Sequence, residues 1–151
     1  MALRFRIKSE GVTPEEAFDY VSDISQHPEW ANPSAKMRME PVSGGAPHLG
    51  AKYRSQAVFV RKPVSADLEI TKFERPRTFA YSVAHHQQGK KDVHYENTYT
   101  FTRADGGTLI EKSLSSDGNQ IVLMIAYPAI RGDAMKSLRN LKTTLEGSRS
   151  A

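Results

Sequence analysis

Leu3, Phe5 and Ile7 alternate with Arg4, Arg6 and Lys8, the period of a strand with one face buried and the other in water. Thr13 then stands as an N-cap, Pro14 takes the first helical position, and Glu16 sits where a capping box requires it. A first helix is expected to run to about Ser22, burying Ala17, Phe18 and Val21 and leaving Glu15, Glu16 and Asp19 solvated. Pro28 disfavours the α conformation at His27, so a helix must stop there and a second short turn must begin. Trp30, the only tryptophan, is thereby delivered by a bend.

Alternation then returns six times. Residues 35–40 read as a weak strand through Met37 and Met39, and 41–50 as a Gly/Pro-rich loop. Residues 51–60 and 64–73 read as a hairpin joined near Arg61, Lys62 and Pro63. Residues 78–85 follow the turn at Pro76, residues 87–91 form the next turn, and 93–102 is the longest alternating stretch. Asp105-Gly-Gly107 turns the chain into 108–115. From Gln120 to Gly147 the period becomes 3.6, with Ala134, Leu138, Leu141 and Leu145 on one stripe, and Pro128 is expected to kink or divide this closing helix.

The alternation also sorts candidate chemistry. Val93, Tyr95, Asn97, Tyr99 and Phe101 must share a face, because His94, Glu96, Thr98, Thr100 and Thr102 are too polar to be the core set. Phe79, Tyr81, Val83 and His85 are the matching set on the neighbouring strand. A hollow against these faces would carry tyrosine hydroxyls, one amide and one imidazole on apolar walls, the mixture of a site that orients an apolar guest. Asn97 weighs in that direction, since an unpaired buried amide costs about 1–3 kcal/mol. Trp30 divides between a cavity rim and plain core, an indole suiting either. Met37 is an adaptable wall if it faces a cavity, although filling an irregular core is the commoner use. Lys112 shares the face of Ile110 and Leu114, the one cation placed to point inward, against the strong tendency of lysine to stay solvated.

Metal is disfavoured by the same parity: His86, His94 and Glu96 share the outer face, which leaves His85 alone inside, so no metal site is expected. No nucleophile motif, phosphate-cradling glycine loop or paired catalytic carboxylates can be read, and no cofactor is expected. The 151 residues fit one domain spanning 1–151, and with no cysteine, disulfides and thiolate chemistry are excluded. The net charge of +4 arises from basic residues spread along the chain, which lacks the stripe that nucleic-acid binding needs. The apolar run from Ile121 to Ile130 is too short for a membrane span, and the charged N-terminus is unlike a secretory signal, so a cytoplasmic location is expected. Residues 121–130 cannot all face one core from a helix, which leaves a mobile gate, a homodimer contact or buried core as their roles.

The stretch from Thr13 to Trp30, ending in Asp23-Ile-Ser-Gln-His-Pro-Glu-Trp30, resembles the opening signature of the SRPBCC superfamily, the START and birch-allergen-like group that includes a polyketide cyclase/dehydratase branch. Gly50-Ala-Lys-Tyr53, Ile70-Thr-Lys-Phe-Glu-Arg-Pro76, Tyr99-Thr-Phe101 and the segment 138–146 continue the resemblance over nearly the whole chain. It implies an α+β helix-grip fold: a curved seven-stranded antiparallel sheet wrapped around a long C-terminal helix, with two short helices between strands one and two. It also implies a cavity between sheet and helix that holds a hydrophobic small molecule such as a lipid, quinone or polyketide-like compound. Trp30, Met37, Tyr81, Tyr95, Asn97, Tyr99, Phe101 and Leu138 are the candidate ligand contacts. The alternative is a polyketide cyclase/dehydratase working by general acid–base chemistry in the same cavity, with His85 as its acid or base. Binding is favoured, because no pair of groups with opposed acid and base roles can be identified.

Overall fold

The structure, a computed structural model, describes residues 2–31, 36–59, 61–86, 89 and 91–147. Strand β1 (Ala2–Glu10) leads to helix α1 (Pro14–Val21) and a 3-10 helix (Ile24–Glu29). Strands β2 (Lys36–Pro41), β3 (Lys52–Phe59), β4 (Lys62–Glu74), β5 (Thr78–His86), β6 (Val93–Ala104) and β7 (Gly107–Ser116) follow, and helix α2 (Gln120–Gly147) closes the chain. All seven strands form one curved antiparallel sheet in the order β1-β7-β6-β5-β4-β3-β2, the helix-grip architecture. Ala35, Val60, Gln87 and Lys90, at the expected ends of two strands and in the turn before β6, lie outside the described residues.

Local chemistry accounts for the short elements. The Thr13 side chain accepts a hydrogen bond from the Glu16 amide at 3.1 Å, a cap of about 1 kcal/mol, and Pro14 begins α1 without losing a needed donor. The break between the two short helices falls at Ser22 and Asp23, earlier than His27, because a 3-10 helix accommodates Pro28 inside its last turn. Tyr20 Oη donates to Glu29 Oε2 at 3.2 Å and ties the two helices together. At the tip of the β6–β7 hairpin Gly106 has φ of 75°, and a Cβ on Gly107 would strike the Ser9 carbonyl, so glycine is what lets β1 approach there. Between β3 and β4 the turn is tighter than expected: Phe59 pairs with Lys62, and Pro63 is accepted near the start of β4.

Helix α2 is held by its C-terminal half. Ala134, Leu138, Leu141 and Leu145 are buried in the concave face of the sheet. Lys142 Nζ donates to the Lys8 carbonyl at 2.8 Å, and Glu146 accepts from the Glu10 amide at 3.0 Å, locking this half to β1. The helix runs unbroken through Pro128. Its N-terminal half leaves Ile121, Val122, Met124 and Ile125 exposed, which removes buried core as the role of residues 121–130. Among the described residues no helix is long and apolar enough to cross a membrane.

Candidate functional site

The concave face of the sheet is filled unevenly. Toward the tip of the β6–β7 hairpin, α1 drives Phe18 into the sheet, with its ring 5.0 Å from Phe73, 5.8 Å from Phe101 and 6.3 Å from Phe79, all edge-on. Trp30 closes the middle, edge-on to Tyr99 at 6.1 Å and to His27 at 4.9 Å. These aromatic contacts add about 0.5–1.5 kcal/mol each to the area they bury. Between the rest of the concave face and α2 a cavity of about 480 Å³ remains.

Its walls come from every layer. Met37 and Met39 of β2, Ser55 and Ala57 of β3, and Val64, Ala66 and Leu68 of β4 form one side. Tyr81, Val83 and His85 of β5, Tyr95 and Asn97 of β6, and Lys112 and Leu114 of β7 form the floor, with Phe5 of β1 at its edge. His27 and Ala31 enter from the short-helix segment, while Ala126, Ala129, Ile130, Asp133 and Ala134 of α2 make the roof.

The structure thus brings together Met37, Tyr81, Tyr95, Asn97 and His85 around one space. It does not bring Trp30, Tyr99, Phe101 or Leu138 to that space: all four are buried, packed under α1, the 3-10 helix and α2. Alternation assigns a side chain to a face, but depth along the strand is decided by which helix covers it. Trp30 Nε1 and Tyr99 Oη are buried without a hydrogen-bond partner among the described residues. Burial holds the Tyr81 and Tyr99 phenols well above their ordinary range, and Tyr99 Oη reaches no hydrogen-bond partner among the described residues. Both are neutral hydroxyls.

Three groups matter electrostatically. Lys112 is 8% exposed, with its ammonium 5.8 Å from the centre of the Tyr99 ring, and desolvation pulls its pKa down to about 8 despite the opposing charge of Asp133. His27 is fully enclosed, and burial lowers its pKa to about 4, helped by Lys112 and opposed by the bond from Nε2–H to the Val21 carbonyl at 2.8 Å. That bond leaves Nδ1 as the acceptor of a neutral ring. His85, half-buried and edge-on to Tyr95 at 6.2 Å, is shifted downward by burial and by the neighbouring His86. The cavity therefore holds one cation, one carboxylate and two imidazoles on mostly apolar walls.

His27 and Asp133 escaped the sequence reading. His27 carries no periodic signal, being in a 3-10 turn. Asp133 did have one: with Ala126, Ala129 and Ile130 it completes a helical 3–4 spacing that points one carboxylate toward the sheet. On the outer face, His86 lies between Asp67 at 3.0 Å and Asp92 at 2.9 Å, and these carboxylates raise its pKa. His94 meets Asp117 at 3.1 Å. Among the described residues no three groups are gathered as a metal site.

The family described as polyketide cyclase/dehydrase and lipid transport matches residues 5–146. The chain belongs to that family. No curated protein matches the sequence. Among solved structures, a conserved protein from Geobacillus kaustophilus is similar over 98% of this chain and 97% of its own, with 16% identity and a TM-score of 0.76. Ara h 8.0201 is similar at 17% identity over 96% and 98% of the two chains, with a TM-score of 0.66. DynU16, from the dynemicin biosynthetic locus, is similar at 14% identity with a TM-score of 0.68, over 96% of this chain and 47% of its own. Identities this low carry the fold alone and leave function to be argued from the cavity itself.

Proposed function

We propose that the protein binds or carries a hydrophobic small molecule, a lipid, quinone or polyketide-like compound, in the cavity between sheet and α2. The observation that carries this reading is a partly open cavity of about 480 Å³ whose walls are mostly apolar, with a smaller set of polar groups among them. Ligand pockets of roughly 300–1,000 Å³ have this composition. Met37, Tyr81, Tyr95 and Asn97 are the contacts assigned to the guest, with Met37 adapting to its shape and Asn97 orienting it. The test is native mass spectrometry of the purified protein, followed by calorimetric titration with fatty acids, flavonoids and quinones. Saturable binding that Val83→Trp abolishes is expected, because an indole placed there fills the space. A folded protein that takes up none of the panel and carries no co-purified compound overturns the reading.

A second reading, a polyketide cyclase/dehydratase, is supported by one specific observation. Lys112, with its pKa near 8, and Asp133 border the same cavity as His85, giving the opposed acid and base roles that the sequence alone did not supply. In this reading His85 moves the proton, while Tyr81, Tyr95 and Asn97 polarise carbonyls of a folded poly-β-ketone. Product mass is the test: a cyclising dehydratase releases one water per ring closed and dehydrated, and His85→Phe abolishes that loss while the substrate still binds.

A further inference from the structure

On the floor of the cavity Lys112 of β7 pairs with Tyr99 of β6 on one side and with Phe5 of β1 on the other, so aromatic residues flank it along the sheet. Asn97 pairs with Leu114, which places Asn97 and Lys112 as diagonal neighbours on one face of β6 and β7. Diagonal positions across a sheet lie about 7–8 Å apart at Cα, close enough for two long polar side chains to converge on one small group. Lys112 and Asn97 are each 8% exposed, and both line the cavity. Neither the ammonium nor the amide makes a hydrogen bond or ion pair among the described residues. Neither is among the polar atoms sealed in the core without a partner, so both open onto the cavity and take their partner from whatever fills it.

We propose that Lys112 and Asn97 form a head-group site for a carboxylate, so that the guest is an amphipathic acid with its anionic end at β6 and β7 and its apolar body along β3 to β5. This rests on the reading of the cavity as a guest site and names the chemistry of one end of the guest. A carboxylate has two oxygens, one to accept from the Lys112 ammonium and one from the Asn97 amide. It carries a single charge, which matches the single cation. A phosphate dianion would demand a second positive group, and His27 and His85 do not supply one, since burial drives both toward the neutral ring. Asp133, facing the cavity from α2, opposes any anion that enters and so limits affinity without removing the preference. Its carboxylate also opposes, without cancelling, the downward pull of burial on the Lys112 pKa.

Decanoic acid and decan-1-ol share an apolar chain length and differ at the head, so calorimetric titration of both separates the head-group site from the cavity. A hydrogen bond to a charged group is worth about 1.5–3 kcal/mol, which predicts that the wild-type protein at pH 7 prefers the acid by about ten- to a hundred-fold. Lys112→Met should remove that preference while changing decanol affinity less than about two-fold, and Asn97→Leu should remove part of it. Asp133→Asn should raise decanoate affinity and leave decanol alone, which keeps the test alive should either floor variant fold poorly. Raising the pH past the titration of Lys112 should weaken decanoate and not decanol. Equal affinity of the wild type for acid and alcohol, or equal weakening of both by Lys112→Met, overturns the carboxylate site and leaves the cavity reading standing. Failure of both probes to bind any folded variant overturns the two together.

Discussion

Replacing His27 by glutamine should convert a protein that weakens in mild acid into one that does not. In the folded protein the ring is enclosed, bonded through Nε2–H to the Val21 carbonyl and packed edge-on to Trp30 and Tyr81, and its pKa falls from 6.5 to about 4. At about 1.36 kcal/mol per unit, this corresponds to about 3 kcal/mol. The sign follows from proton counts. Between the two values the unfolded chain binds a proton at His27 and the folded chain does not, so stability falls as pH falls through this window and is fully present above 6.5. Glutamine places an amide donor where Nε2–H stood and cannot titrate. Its cost at pH 7 is the two lost ring contacts, about 1–2 kcal/mol. Urea unfolding followed by circular dichroism, at intervals from about pH 7.5 to 4, should give curves that cross: the parent more stable at neutral pH, the His27→Gln variant more stable near pH 4. Carboxylates and His86 titrate alike in both proteins and cancel in the difference. Parallel curves over the whole range would show that His27 is not held neutral, and the packing argument would fail with it.

Other consequences are simpler to test. Lys112→Met should stabilise the empty protein by up to about 3 kcal/mol at pH 7, since its pKa of about 8 against 10.5 unfolded means the charge is buried at a cost; the gain should shrink as pH rises from 8 to 10.5, as read from chemical denaturation. Trp30→Ala should cost about 3–5 kcal/mol from packing, and Trp30→Phe less than half as much, because the unpaired Nε1–H goes with the indole. His86→Ala and His94→Ala should lie within about 0.5 kcal/mol of the parent, both rings being substantially exposed; what His86 gains from Asp67 and Asp92 is present at low pH and lost as pH rises through its raised pKa, a difference thermal melts at pH 5 and 8 will register. Hydrogen exchange over residues 121–130 should slow when decanoate is added, with sedimentation independent of protein concentration, if the exposed apolar turn beside the roof closes over the cavity; a concentration-dependent mass instead makes it a subunit contact.

The succession of elements and the facing of β5, β6 and β7 were legible because a half-buried strand has a period of two. Tyr81 and Asn97, placed on one inner face by alternation, are direct partners across β5 and β6. Depth along those faces was not legible. Tyr99 and Phe101 continue the inner row of Asn97, and nothing local distinguishes them; what separates cavity from core is Phe18 and Trp30, brought there from far away in the chain. Pro128 misled in another way, since the backbone bond it removes lies in the exposed first half of α2, where water can replace it and the helix continues. In the sequence His27 signals only the backbone break before Pro28, and its ring becomes chemically informative only through its burial.

Lys112 is where stability and function meet. An apolar side chain of similar length would leave the empty protein more stable, as removal of a poorly compensated buried charge generally does. The charge therefore lacks a folding rationale, and Tyr99, whose ring lies beneath the ammonium, offsets only part of the desolvation. An entering carboxylate supplies the missing compensation, so guest binding and the protonation of Lys112 must be coupled: the acid binds only the charged form, and by linkage it raises the pKa that burial has lowered. That coupling predicts proton uptake when decanoate binds near pH 8, where about half of the empty protein has lost the lysine proton. Calorimetry in two buffers of different ionisation enthalpy measures it directly. Uptake approaching half a proton at pH 8, declining toward zero by pH 6 and absent in Lys112→Met, is the expected result; binding with no proton uptake at pH 8 would mean that the carboxylate never meets Lys112.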